Sequence, residues 1–395
     1  MNNRSNDATR RTGATIATTA VSRRTIVRGI AGGGLAISIA NLGRGVAAQD
    51  ASPAALGEPI KAAFVYVSTI GDMGWTWAHD QGRLDLEKNL PNVETSYQES
   101  VPENPADAER VIRDFAQMGN RVIFTTSFGY MDPTINVAKD FPETVFVHIS
   151  GYKTAENVAT AFGKIEEPRY VAGLVAGQMT TSNQLGYVAA FPIPEVIRGI
   201  NAFSLGVRKA NPEAVIRVVW TNTWFDPQKE RQAAEALLDG GADVIAQHQD
   251  TAGPQQAAQD RGVYGVGYNA DMSIQAPEAV LASPIWHWGV YYTRTVQQVL
   301  DGTWETNQYW GGWKDGLVDL APLGAMVPED VRATTETEIA SFKSGEQDIF
   351  TIFTGPINDQ TGAEKVPAGT ALTAEQLLGA DMNWFIEGIE GDPTP

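Results

Sequence analysis

The sequence contains no cysteine. Disulfides, thiol nucleophiles and thiolate metal sites are therefore excluded, and so is a lipid anchor on an N-terminal cysteine. Histidine is scarce: His79, His148, His248 and His287 are the four, and no two have the spacing of a metal-binding pair. His148, inside TVFVHIS, reads as a core or cleft-lining side chain and not as a base. There is no GxxxxGKS/T phosphate loop, no HExxH helix and no GxSxG elbow. VYGVGYNA is an incomplete GxGxxG with no helix directly after it. These gaps argue against an enzyme, a cofactor or a metal site, and for a protein that acts by binding. No internal apolar run approaches the roughly 20 residues that span a bilayer.

Basic residues are also few. Lys and Arg number 29 against 47 Asp and Glu, a net charge of −18 over 395 residues. Seven of the arginines (Arg4, Arg10, Arg11, Arg23, Arg24, Arg28 and Arg44) and only one acid, Asp7, fall within the first 48 residues. The remainder is thus more acidic still, a surface that repels nucleic acid and anionic membrane. The basic segment itself has a recognisable layout. Ser22-Arg23-Arg24-Thr25-Ile26-Val27 leads into a weakly apolar, Gly-rich stretch from Ile30 to Leu42, then the small residues Val46-Ala47-Ala48. It resembles a twin-arginine export signal over 1–48. That resemblance implies a periplasmic or cell-surface protein, and residues 49–59, QDASPAALGEP, read as a linker.

What the sequence does have is hydrophobic content of 43% and a regular alternation of strand-like and helix-like runs. KAAFVYVS, VETSYQESV, RVIFTTS and TVFVHIS read as strands. The segments between them carry helical spacing, as in Val111, Ile112, Phe115 and Met118. A second set follows: NVATAFG, LGYVAAF, AVIRVVWTN, DVIAQHQD, VYGVGYN and VLASPIW as strands, with helices over 167–181, 194–210, 227–239, 254–261 and 288–301. After about Asp315 a helix is expected near 328–343, a strand near 348–354 and a helix near 373–379. Alternation of buried strands with helices predicts α/β, mostly parallel doubly wound sheets with helices on both faces. Two sets predict two lobes, with a ligand cleft between them at the strand ends.

Aromatic residues gather at those strand ends. There are ten tryptophans. Trp75 and Trp77, beside Thr76 in GDMGWTWAHDQGR, follow the first strand; Phe128 and Tyr130 follow the third. Trp224 and Phe225 follow a second-lobe strand, Asn269 and Asp271 another, and Trp286 and Trp288 end VLASPIWHW. Side chains converging on one cleft can sandwich a flat ligand, stacking being worth about 0.5–1.5 kcal/mol per pair beyond burial. Asn269 and Asp271 can take hydrogen bonds from its edge. Trp304, Trp310, Trp313 and Trp384 fall outside the pattern and read as structural.

The segments GDMGWTWAHDQG, NVATAFGKIEEPRYVAGLVAGQMT, LGYVAAFPIPEVIRGINAFSLGVRKANP, the FDP turn, GADVI and GVYGVGYNADMS together resemble the basic membrane protein (BMP) family of ABC-transporter substrate-binding proteins, which includes purine nucleoside receptors. The resemblance implies a type I periplasmic binding protein fold whose chain crosses between lobes three times. It places lobe 1 at 60–155 with about 287–325, and lobe 2 at 156–286 with about 326–395. It implies a clamp of Trp75 and Trp224, one per lobe, and nucleoside contacts from Asp271 and Asn269. Thr76 and Trp77 stand where many relatives have Asn and Gln. Trp286 takes the place of a ribose-binding Lys, which predicts a smaller, drier cleft and adenine rather than a nucleoside. Relatives are commonly lipoproteins; lacking cysteine, this chain is expected to be soluble. The implied mechanism is hinged closure and docking on a membrane permease, with the protein a monomer. Expected hinges lie near Gly151–Asn157, Asn269–Ser273 and Trp286–Gly289. Two alternatives keep the fold: a sensory receptor module, and a binding protein for a flat non-purine ligand such as a flavin.

Overall fold

The computed structural model describes residues 59–395. The expected export signal over 1–48, and all but the last residue of the 49–59 linker, lie outside the described residues. The first half of the described chain alternates β1 (Ile60–Val65), α1 (Trp75–Asn89), β2 (Val93–Gln98), α2 (Pro105–Gln117), β3 (Val122–Thr125), α3 (Met131–Ala138), β4 (Val145–Ile149) and β5 (Val158–Gly163). The second set runs α4 (Glu166–Met179), β6 (Gln184–Ala189), α5 (Pro194–Ala210), β7 (Val215–Trp220), α6 (Pro227–Asp239), β8 (Val244–His248), α7 (Gly253–Asp260), β9 (Tyr264–Val266) and β10 (Val280–Ala282). Local chemistry sets several of these starts. Asn104 accepts from Asp107 N–H at 3.0 Å ahead of Pro105, and Asp226 accepts from Lys229 N–H at 3.1 Å ahead of Pro227, the cap-then-proline pattern of a helix N-terminus.

The rest of the chain is β11 (Pro284–Trp286), α8 (Trp288–Asp301), β12 (Gln308–Gly311), β13 (Val318–Leu320), α9 (Glu329–Ser344), α10 (Ile349–Ile352), β14 (Ile357–Asn358), β15 (Glu364–Val366), α11 (Ala374–Leu378) and β16 (Ile389–Glu390). Two six-stranded sheets result, ordered β12-β5-β4-β3-β1-β2 and β10-β9-β8-β6-β7-β16, every pairing within them parallel. The five consecutive strands of each set repeat one order, and the sixth is added at opposite edges, β12 beside β5 and β16 beside β7. In each, the order reverses beside the first strand of the set, β1 or β6, so the ligand crevice belongs at the loops after β1 and β3 and after β6 and β8. Strands β3, β5 and β8 are buried at every residue, as expected of parallel sheets covered on both faces.

The lobes are joined by three crossings: β5 to α4, β10 through β11 to α8, and β12 through β13 to α9. β11 and β13 pair antiparallel, Trp286 opposite Val318. A Cβ added at Gly163 would run into Trp286 and Val318, so one residue from each crossing packs at a single point. The expected boundary at 155–156 falls before β5, yet β5 pairs with β4 and β12 in the first sheet; sheet membership puts the first crossing after Gly163. The expected hinges at Gly151–Asn157 and Asn269–Ser273 are loops within one sheet's own connections, whereas Trp286–Gly289 does lie on a crossing. The strand expected near 348–354 is the helix α10. Asp348 accepts from Thr351 N–H at 3.0 Å and closes a capping box, and that local bonding outweighs the β propensity of Ile349-Phe350-Thr351-Ile352. VLASPIW breaks at Ser283 into two strands belonging to different sheets.

Candidate functional site

The loop after β1 is wound around one carboxylate. Asp72 accepts from Gly74 N–H at 2.8 Å, Trp77 N–H at 3.0 Å and Thr76 N–H at 3.1 Å, and from Ser68 Oγ at 2.6 Å. Met73 is held in the left-handed region at φ 59°. This winding starts α1 at Trp75 and turns its indole into the cleft, where Nε1 donates to the Thr126 carbonyl. The ring is then braced edge-on by three others: His79 at 4.2 Å and 86°, Trp286 at 5.7 Å and 83°, and Trp288 at 5.7 Å and 82°. Trp224 enters from the other lobe, after β7, with Phe191 against it at 4.6 Å. Its Nε1 donates across the cleft to Glu103 Oε2 at 3.0 Å. Glu103 is itself seated by Gly129 N–H at 2.8 Å and by Ser127 Oγ.

Between the lobes lies a cavity of about 740 Å³, within the ~300–1,000 Å³ of pockets that hold drug-sized ligands. Of the residues expected at the site, Trp75, Phe128 and Trp224 line it. The others do not. Thr76 is buried and bonds Ser68 Oγ at 2.7 Å; Trp77 packs on the core behind the loop. Tyr130 is buried in the first lobe and donates to the Val101 carbonyl. Phe225 lines a separate recess of about 310 Å³ on another side of Trp224. Asp271 accepts from Ser273 N–H at 3.0 Å and caps a short turn. Trp286 is buried at the crossings, stacked on Trp288 at 5.0 Å and 21°, so it braces Trp75 instead of walling the cavity. Asn269, in the left-handed region at φ 68°, connects layers. It accepts from Trp286 Nε1 at 2.9 Å and donates to Asp250 Oδ1 at 3.0 Å.

Asp250, after β8, is the polar residue that the strand-end aromatics do not announce. It lines the cavity, accepts from Trp75 N–H at 3.3 Å and so links the lobes. A Cβ at Gly74 would collide with the Asp250 carbonyl, so only glycine lets the two loops meet this closely. Burial, then the Asp72 and Glu230 carboxylates, push Asp250 well above the usual carboxylate range. With Oδ1 already accepting from Trp75 N–H and Asn269 Nδ2, a protonated carboxyl leaves the Oδ2 hydroxyl as a donor for a heterocycle's acceptor. Glu195 also lines the cavity, 3.0 Å from His248 Nε2. Burial pushes Glu195 up, but His248, Arg198 and Arg169 outweigh it and hold the group below its ordinary value; Glu195 is an ionised acceptor. Trp310, expected to be structural, lines the cavity as well. His148 does not; burial lowers it to about 4 and its Nε2 faces the Ser127 carbonyl at 2.7 Å.

The family model for PnrA-like ABC transporter substrate-binding proteins matches residues 60–352. A purine-binding protein of Brucella abortus is 45% identical over 334 residues, 84% of this chain and 93% of its own length. A Haloferax volcanii protein, named as a candidate ABC transporter glucose-binding protein, is 45% identical over 341 residues, 85% of this chain and 82% of its own. Among solved structures, an ABC transporter solute-binding protein of Aeropyrum pernix superposes with a TM-score of 0.65 at 18% identity, covering 83% of this chain and all of that one, which supports the two-lobed fold. The chain belongs to the Bmp family of ABC transporter substrate-binding proteins, which bind their substrates and are not enzymes.

Proposed function

We propose that this protein is the extracytoplasmic receptor of an ABC importer for a purine, as base or nucleoside, exported by the twin-arginine route and working as a monomer. The observation that carries the ligand is the pair of indoles, Trp75 and Trp224, delivered to one cavity from opposite lobes. The purine-binding Brucella relative supports it. The ring stacks between them, and the Asp250 carboxyl and the Glu195 carboxylate meet its polar edges. Closure forms the cross-lobe bonds from Trp224 Nε1 to Glu103 and from Trp75 N–H to Asp250, and the closed form docks on the permease.

A hexose is the second reading. The Haloferax relative's name suggests it, and two carboxyl groups beside aromatic faces also suit sugar hydroxyls stacked on their C–H side. Thermal melting of the protein with adenine, guanine, adenosine, guanosine, riboflavin and glucose separates the two. A ligand at about 100 times its Kd adds about 2.7 kcal/mol, a rise of several degrees. A rise with a purine and none with glucose is expected. A rise with glucose alone overturns the purine reading, and one with riboflavin alone moves the ligand to a larger flat heterocycle.

A further inference from the structure

The lobes meet at Gly74 and Trp75, and each lobe brings a carboxyl group to that point. From the first lobe, Asp72 accepts on both oxygens: Oδ1 from Gly74 and Trp77 N–H, Oδ2 from Ser68 Oγ and Thr76 N–H. From the second, Asp250 accepts on Oδ1 alone, from Trp75 N–H and Asn269 Nδ2. The N–H groups of Gly74 and Trp75, neighbours in sequence, are thus divided between two carboxyls from opposite lobes. Asp250 Oδ2 has no partner among the described residues and is not sealed off. Asp250 lines the cavity, so Oδ2 is the oxygen that a ligand meets.

The surroundings disfavour a second negative charge here. Asp250 is 6% exposed. Asp72 faces it from the loop after β1. Glu230 faces it from α6, where Oε2 accepts from the N–H of Thr251, the next residue, at 3.0 Å. The basic side chains around it are engaged elsewhere. His248 is 3.0 Å from Glu195, and Arg231 is 2.6 Å from Asp260 and 2.8 Å from Glu235. Arg169 Nη1 donates to Tyr187 and, at 3.1 Å, to the Gln247 carbonyl. Burial raises Asp72 too, but all four of its donors oppose the rise. The carboxyl with donors on both oxygens keeps the charge, and the one with a bare oxygen takes the proton. Glu230 travels with Asp250 when the lobes part, whereas Asp72 does not. Opening therefore removes a like charge and admits water, and both favour ionised Asp250.

We propose that closure of the cleft takes up a proton from solvent on Asp250, so that the ligand is held by a neutral carboxylic acid and binds more tightly as pH falls. In that form Oδ2–H donates to an acceptor on the ligand; the ionised form has no donor to offer it. The acceptor is a ring nitrogen if the purine reading above holds, and the donor role rests on that reading. The complex holds a proton that the open protein has released, so affinity is lost as pH rises.

Titration calorimetry on the full chain tests this, with adenine and adenosine as probes, in buffers of different ionisation enthalpy. Between about pH 6 and 8 the unaltered protein should take up about half a proton to one proton per ligand bound, and Kd should rise about three- to tenfold per pH unit. Asp250→Asn keeps an oxygen for Trp75 and Asn269 and an N–H toward the cavity but cannot titrate. Its proton uptake and its pH slope should both vanish, whatever its affinity. His248→Gln, which removes the histidine from the cavity wall, should keep the uptake, and this comparison decides the matter if Asp250→Asn binds too weakly to titrate. The 1-, 3- and 7-deaza forms of the probe that binds each lack one ring acceptor, and one of them should bind about tenfold or more weakly for the lost hydrogen bond. Binding without proton uptake, uptake that survives Asp250→Asn, or uptake that vanishes in His248→Gln overturns the proton on Asp250. Three deaza forms within about threefold of the parent overturn the donor role. If neither adenine nor adenosine binds, the purine reading itself falls, and the donor role with it.

Discussion

If the lobes close on the ligand as proposed, the bond from Trp224 Nε1 to Glu103 Oε2 forms on closure, so removing it should weaken ligand binding without weakening the ligand-free fold. Trp224→Phe keeps an aromatic face and deletes the donor. A hydrogen bond to a charged acceptor contributes about 1.5–3 kcal/mol. Both partners here are half-buried, so the lower figure applies: about 1.5 kcal/mol, or roughly a tenfold rise in Kd. Phenylalanine also loses ring area, and a double-mutant cycle with Glu103→Ala separates that loss from the bond. If the bond is what matters, Trp224→Phe in the Glu103→Ala background costs less than it does alone, with a coupling of about 1 kcal/mol. Calorimetry gives the four affinities, and stopped-flow fluorescence should place most of the change in dissociation, since the latch must open before the ligand leaves. Ligand-free melting of Trp224→Phe should stay close to that of the unaltered protein. Additivity within about 0.3 kcal/mol would refute the latch. A large fall in ligand-free melting would show instead that Trp224 holds its own lobe together.

Two further outcomes follow from close packing and from buried charge. Gly74→Ala places a methyl group against the Asp250 carbonyl; at about 1–3 kcal/mol of overpacking it should weaken ligand binding by about fivefold or more with little change in ligand-free melting, and undiminished affinity would show that the lobes need not close this far. Glu167, 4% exposed, accepts from Trp313 N–H at 2.8 Å, and burial lifts it from 4.5 to about 7 against that bond and Lys164. The folded protein therefore holds a proton on Glu167 that the unfolded chain has released between pH 4.5 and about 7, so stability falls as pH rises through that window. Glu167→Gln keeps the acceptor and removes the slope. Its melting temperature minus that of the unaltered protein should climb across the window and then level, by the equivalent of up to about 3 kcal/mol, and a flat difference would refute the shift.

Much of the fold is legible because its signals are local. Asn104-Pro105 and Asp226-Pro227 mark helix starts by bonds within four residues, and the helices expected over 194–210, 227–239 and 288–301 have the bounds found in the structure. Strand alternation gives both sheets. What local pattern does not carry is sheet membership. NVATAFG reads as a buried strand, but its place in the first lobe is decided by pairing with Val145–Ile149, and its other edge is then covered by Gln308–Gly311, a partner some 150 residues away in sequence. Ile349–Ile352 is misread as a strand for a different reason: its apolar run of β-branched and aromatic residues outweighs a local cap, Asp348 accepting from Thr351 N–H, that has no proline beside it to mark it.

The site divides along the same line. A strand end delivers a residue to the cleft region, which is why Trp75, Phe128 and Trp224 are found, but it does not say which way the side chain faces. Trp286 and Asn269 stand at such ends and face inward, one to pack the crossings, the other to hold Asp250. Asp250 follows DVIAQHQ at the end of β8 and was as well placed in sequence as Trp224. A carboxylate in a loop usually means solvent, and only the fold shows Asp250 to be buried and on the cavity wall. Glu103 and residues 374–380 are one step further from view. Their positions matter only where two distant segments meet, Glu103 with an indole from the other lobe and Ala380 with a cavity whose indoles, Trp224 and Trp75, lie some 156 and 305 residues earlier. The parts of a two-lobed receptor that choose and hold its ligand are therefore the parts a single sequence shows least. They are made by closure and by the return of the chain, and neither leaves a periodic trace.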